Sequence, residues 1–118
     1  MMKKKLLLLL MLAMVVSPAV FGRQPDEKDR CSKWFGPYGN GVYYQYAQSY
    51  LGMDVWSKDY DCFQFSNENS YQVEITYCTE KNNKSYGPYL RQVNGNTDDD
   101  LIAITEGERV SSIGVKRL

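Results

Sequence analysis

Histidine is missing from all 118 residues. Its absence removes the usual general base near neutral pH, the commonest zinc ligand, and any Ser–His or Cys–His nucleophile pair. Net charge is missing as well, with 14 basic and 14 acidic residues, so no electrostatic footprint for nucleic acid or an anionic membrane is present. No apolar run is long enough to span a bilayer as a helix, because the longest covers only residues 6–16. The three cysteines are an odd number, so at least one thiol lacks a partner within the chain. What could still support catalysis is a carboxylate pair or an activated thiol. The acidic triplet Asp98, Asp99 and Asp100 reads as a solvated loop, and residues 94–106 lack the glycine and ligand spacing of a calcium loop. Neither an enzyme nor a metal site is expected.

What the chain does have begins at its N-terminus. Lys3, Lys4 and Lys5 form a positive n-region, residues 6–16 an h-region, and residues 17–22 a small-residue segment fit for signal cleavage. Val20 and Gly22 suit cleavage before Arg23, and Ser17 and Ala19 suit cleavage before Val20. Residues 1–22 therefore read as a secretory signal. Without them, eleven basic residues face fourteen acidic ones, a net charge of −3. All three cysteines (Cys31, Cys62 and Cys78) fall in the mature part, where an oxidising compartment makes them expected half-cystines.

Residues 23–30 (RQPDEKDR) carry no apolar side chain and read as a loose lead. The lead extends through residues 34–40, a turn-rich stretch whose aromatics should pack on the body. From residue 41 onward the hydrophobic period is two. Residues 42–47 are rich in strand formers, Phe63 and Phe65 share one face, and Tyr71, Val73, Ile75 and Tyr77 alternate with polar neighbours. Residues 67–70 (NENS) have turn composition, which predicts a hairpin joining these last two strands. In that register Cys62 and Cys78 are not opposite one another, while Cys31 could reach either. Residues 86–93 form a further strand, with Gly87–Pro88 at its start or at a bulge. A turn at residues 94–98, a short apolar run at 101–105 and a strand at 110–115 follow. Five or six short strands make residues 41–118 one all-β domain, a barrel or a sandwich.

Residues 41–47 read G-V-Y-Y-Q-Y-A. This resembles the Gly-x-Trp-Tyr-x-x-Ala first strand of lipocalins, arthropod ones in particular, through Gly41, Tyr44 and Ala47, with Tyr43 standing where that family has tryptophan. Cys31 before this strand and Cys62 opening the next sit where similar proteins have cysteines. The polar turn at 81–84 and the strand at 86–93 come in the family's order, so the resemblance covers residues 31–93. It implies an antiparallel up-and-down barrel, incomplete at five to six strands against the family's eight, and a secreted carrier for a small hydrophobic ligand. The implied cavity lining is Tyr43, Gln45 and Ala47 from the first strand, Phe63, Phe65, Val73, Ile75 and Tyr77 from the hairpin, then Tyr86 and Tyr89. Nothing implies a cofactor.

A second reading comes from composition. Ten tyrosines and two tryptophans could furnish a contact surface, making a secreted protein-interaction domain without a ligand cavity, with the odd cysteine linking a homodimer. Asn83-Lys84-Ser85 fits the N-glycosylation acceptor pattern in a turn.

Overall fold

The structure, a computed structural model, describes residues 18–118. Most of the expected signal segment lies outside the described residues. Eleven strands follow in order: β1 (Arg30–Cys31), β2 (Phe35–Tyr38), β3 (Val42–Gln48), β4 (Tyr50–Gly52), β5 (Val55–Trp56), β6 (Cys62–Asn67), β7 (Val73–Lys81), β8 (Lys84–Val93), β9 (Thr97–Asp98), β10 (Ile102–Ala103) and β11 (Arg109–Arg117). All pairings are antiparallel.

They form two main sheets. In the first, β3 pairs with β6, β1 and β2 pair with the other edge of β3, and β9 and β10 pair with the other edge of β6. In the second, β7 lies between β8 and β11. The apolar period of two decides how they stack. Val42, Tyr44, Tyr46, Phe63 and Phe65 point from the first sheet, Val73, Ile75, Tyr77 and Val93 from the second, and together they make one buried cluster. From Val73 on, the alternation read along residues 71–78 is therefore the burial pattern observed in β7, while Tyr71, ahead of the strand, is half-buried.

The expected hairpin between residues 62–66 and 71–78 does not form. β6 pairs with β9 and β10, whereas β7 pairs with β8 and β11. Residues 68–72 carry the chain from one sheet to the other. Asn67, almost fully buried, fixes that crossing: its Nδ2 donates to the carbonyls of Tyr71 (2.8 Å), Val93 (3.2 Å) and Asn94 (3.2 Å), and its Oδ1 accepts from the Asn69 N–H (3.0 Å). Stacking the Phe63/Phe65 face onto the Val73/Ile75/Tyr77 face buries both, which pairing the strands edge to edge would not do. In an up-and-down barrel each strand pairs with its sequence neighbours, so this order departs from that expectation. The coarser expectation, an all-β antiparallel fold, holds.

The strand at 86–93 starts earlier, at Lys84, and Gly87–Pro88 lies at a bulge opposite Cys78, where a missing N–H costs the ladder nothing. A second bulge, at Ser111, interrupts β11 on the other flank of Cys78. These bulges, with Lys84, Lys116 and Arg117, roughen the two edges of the second sheet against pairing with another chain. Gly41 of the sequence motif has a steric role: at φ +155° a side chain is strained, and a Cβ would lie 2.8 Å from Asn69 Oδ1, forcing that side chain to shift.

The lead is not loose. Arg23 pairs with Asp29 at 2.6 Å, Gln24 Nε2 donates to the carbonyls of Asp98 (2.9 Å) and Asp99 (2.8 Å), and β1 and β2 belong to the first sheet. Ahead of it, the Phe21 N–H bonds Leu101 O and the Ala103 N–H bonds Ala19 O, both at 2.8 Å. A boundary at residue 40 between lead and domain has no counterpart in the structure.

Candidate functional site

The ten residues expected to line one cavity are not gathered around a common one. Phe63, Phe65, Val73 and Ile75 have no exposed surface and Tyr77 has 1 %. Their rings fill the space between the sheets, with centroids 5.2 Å apart for Phe63–Phe65 and Phe65–Tyr77, 5.4 Å for Phe63–Tyr77 and 5.3 Å for Tyr77–Tyr89. Edge-on and tilted contacts at this spacing are those of a packed core. Tyr86 stands half exposed beside Tyr89 on an open cleft with Lys81 and Glu108.

The first strand has the opposite parity from the expected one. Val42, Tyr44 and Tyr46 face the core, so Tyr43, Gln45 and Ala47 face the other side. Gln45 Nε2 donates to Gln64 Oε1 at 3.0 Å, and Gln64 Nε2 in turn reaches Gln24 Oε1 (2.6 Å) and Asp99 O (2.9 Å). Ala47 packs with Cys62 and Leu101 in a small second cluster. Burying these glutamines is tolerable because Gln64 accepts from Gln45 while Gln24 of the N-terminal segment and the Asp99 carbonyl accept from Gln64.

The cysteines are free in the structure: Cys31 exposed, Cys62 buried and Cys78 half-buried. Cys31 and Cys62 each face Ala47 from opposite flanks, two strand spacings or ~9.6 Å apart, beyond the reach of a disulfide. Cys78 lies in the other sheet. Burial, reinforced by the neighbouring Asp61 carboxylate, pushes the Cys62 thiol up to about 12, which suits an inert core group and not a nucleophile. Cys31 is also raised, by burial and Asp29.

The acidic triplet is tied up internally. Asp98 Oδ1 accepts from Ser66 (2.6 Å), Asp99 holds Arg91 through two bonds (2.5 and 3.0 Å), and Asp100 Oδ1 accepts from Gln24 (3.3 Å). Among the described residues no group of three or more His, Cys, Asp or Glu side chains is placed to hold a metal. Asn83 is exposed at the turn between β7 and β8.

Sequence reading passed over the feature that differs most from an ordinary domain surface. Residues 50–56, which carry none of the strand patterns read above, form a hairpin of β4 and β5. Leu51 is 64 % exposed, Val55 51 % and Met53, at its tip, 95 %. The hairpin is held firmly. The Tyr50 and Trp56 rings pack edge to face at 5.3 Å. Lys28 sits over Tyr50 at 4.9 Å and Arg30 over Trp56 at 3.7 Å. Trp56 Nε1 donates to Lys28 O (2.6 Å), the Tyr50 N–H to Asp29 Oδ1 (3.0 Å) and the Asp54 N–H to Tyr50 Oη (2.9 Å). Asp29, whose side chain is 3 % exposed, is the hub, since its Oδ2 takes Arg23 and the Asp26 N–H. Burial opposes its charge, but Arg23 and the N–H groups of Asp26 and Tyr50 outweigh that, and its pKa falls below the ordinary carboxylate value. The signal available in the sequence was Gly52 with Asp54 between aromatic flanks, a short hairpin pattern hidden inside an apparent loop.

These features define an all-β, two-sheet domain with a filled core and a braced apolar hairpin. No protein-family model matches the chain, and neither does any curated protein or any solved structure.

Proposed function

We propose that this chain is a secreted protein-interaction domain that grips its partner with the β4–β5 hairpin. The observation that carries the reading is Met53: an almost fully exposed apolar side chain on a residue with φ +50°, inside a hairpin braced from both sides. A methionine in the left-handed region is locally unfavourable, and an exposed one gains nothing from burial, so its use lies outside the chain's own stability. The bracing from Asp29, Lys28 and Arg30 lowers the ordering cost of binding, and the flexible thioether suits an apolar groove. Asp54 beside it favours a protein groove with a polar rim over a lipid interior, where a carboxylate is costly.

The basic n-region and apolar run of residues 3–16 support export. Of the two cleavage positions, the one before Val20 keeps Val20 and Phe21 on the chain, and with them the contacts to Leu101 and Ile102. A glycan on Asn83 would project from the β7–β8 turn.

A photo-crosslinking residue at position 53, compared with one at position 83, tests the proposal in the fluid into which the protein is exported. One discrete adduct is expected from position 53, competed by excess unlabelled protein but not by a Leu51→Ser/Met53→Ser variant. Equal adducts from both positions, or none from position 53, would overturn it.

A further inference from the structure

The outer face of β3 and β6 is covered along only part of its length. The N-terminal segment reaches Gln64 through Gln24, and Gln64 in turn holds Gln45. The next row across the sheet is Tyr43, Ser66 and Asp98, which face one another in register on β3, β6 and β9. With Trp34 from the β1–β2 link and Glu68 from just past β6, they line an open pocket of about 350 Å³. None of its five lining residues is basic.

The pocket's walls are built by local chemistry. Tyr43 lies against Gly36, where a Cβ would sit 3.0 Å from the ring and 2.8 Å from the Val42 carbonyl oxygen. Ser66, 7 % exposed, donates to Asp98 Oδ1 at 2.6 Å and fixes that carboxylate while leaving Oδ2 free of side-chain partners among the described residues. The ion pairs among the described residues are Arg23–Asp29, Arg91–Asp99 and Arg109–Asp59, so neither Asp98 nor Glu68 is matched by a cation. Two carboxylates thus stand unneutralised beside a tryptophan and a tyrosine.

Aromatic faces carry the negative side of the ring quadrupole and attract organic cations, and nearby carboxylates add to that attraction. We propose that this pocket binds a compact organic cation, an ammonium head group. The hairpin plays no part in it. The ammonium can belong to a free small amine or to a lysine side chain on another protein, and both offer the same chemistry.

The test is a titration of the purified ¹⁵N-labelled protein with choline, with its uncharged isostere 3,3-dimethylbutan-1-ol, and with a short blocked lysine peptide. The indole N–H of Trp34 and the amides of Tyr43, Ser66 and Glu68 report binding. Saturable shifts are expected with the cations, on the order of millimolar for so open a site, and none with the isostere. Trp34→Ala and Asp98→Asn should each raise the half-saturation concentration roughly three- to fivefold. Glu106→Gln, an exposed carboxylate outside the pocket, should leave it unchanged. Asp98→Asn keeps the acceptor for Ser66, so its effect reads charge and not folding. Saturation by the peptide below choline identifies a side-chain ligand, and the reverse order a free amine; either supports the pocket. Equal shifts from the neutral isostere, or no saturable shift from either cation, would overturn it.

Discussion

Two hairpins in this molecule are closed by the same kind of turn with opposite chemistry. Between β7 and β8 the two turn residues are Asn82 (φ +53°) and Asn83 (φ +62°); between β4 and β5 they are Met53 (φ +50°) and Asp54 (φ +57°). Two-residue turns with both φ values positive match the twist of the flanking strands, and asparagine tolerates them well. The first hairpin follows that rule and contributes Tyr77, Val73 and Val93 to the core. The second breaks the rule at Met53, contributes nothing to the main core, and is held instead by polar and cation–π contacts from the N-terminal segment. One hairpin therefore stabilises the domain, whereas the other is stabilised by it.

That division should survive direct attack. Tyr77→Ala, at the centre of the ring cluster, should cost about 3–5 kcal/mol of unfolding free energy, by analogy with other large aromatic truncations. Leu51→Ser should stay within about 0.5 kcal/mol, as surface changes do. Urea denaturation of the two variants measures both; a comparable loss from Leu51→Ser would mean that the second hairpin is part of the core after all.

Opposite ends of the pH scale should separate the two regions next. On the alkaline side the raised groups lie in the sandwich: Cys62 is pushed up to about 12 by burial, and Tyr44 and Tyr77 are raised by burial and by neighbouring tyrosines. The unfolded thiol ionises near 9 while the folded one keeps its proton, so the native state binds more protons and stability falls as pH rises from about 9 towards 12. On the acid side Asp29 and Asp59, which flank the β4–β5 region in sequence, are held below the ordinary carboxylate value of 3.8, Asp59 by the Tyr60 N–H and Arg109. Their contribution is present above 3.8 and drains away as pH falls through their lower folded values. Hydrogen exchange should show β4 and β5 loosening first in acid, while alkali melts the sandwich as a unit. Asp29→Asn should remove most of the hairpin's acid sensitivity by loosening it at neutral pH.

A smaller difference separates the thiols. Exposed Cys31 should react with a maleimide within the native state, and Cys62 only on unfolding. A Cys31 adduct appearing no faster than that of Cys62 would contradict the exposed placement.

How much of this was legible in the sequence follows from what each residue pattern can encode. The period of two along residues 71–78 names the buried face of β7 without ambiguity because every second residue is polar or charged. Along residues 42–47 it does not, since Tyr43, Tyr44 and Tyr46 put aromatics on both faces. The resemblance to a lipocalin first strand then selected Tyr43, Gln45 and Ala47, the face that a glutamine pair and the N-terminal segment in fact cover. Residues 67–70 read as the turn of a hairpin, which does not form, because composition cannot distinguish a reversal within a sheet from a crossing between sheets. The distinction lies in Asn67, which bonds the nearby Tyr71 carbonyl and the two distant ones of Val93 and Asn94. The pocket of Trp34, Tyr43, Ser66, Glu68 and Asp98 was illegible for a related reason, being assembled from separate stretches of chain that only the topology brings together.

The smallest expected effect bears most directly on why the two hairpins differ. Met53→Asn should stabilise the domain by about 0.5 kcal/mol, the gain expected when a residue comfortable at positive φ replaces one that is not. Asn82→Met should cost a similar amount, since it imports the same conflict into β7–β8. Thermal unfolding of both variants, with crosslinking from position 55 in the Met53→Asn background, reads the two consequences together. If the local conflict at Met53 is maintained for recognition, the asparagine variant gains stability and loses partner capture. Were it to gain stability and bind as before, the exposed methionine would be dispensable, and the contact would have to run through Leu51 and Val55 on the hairpin's flank.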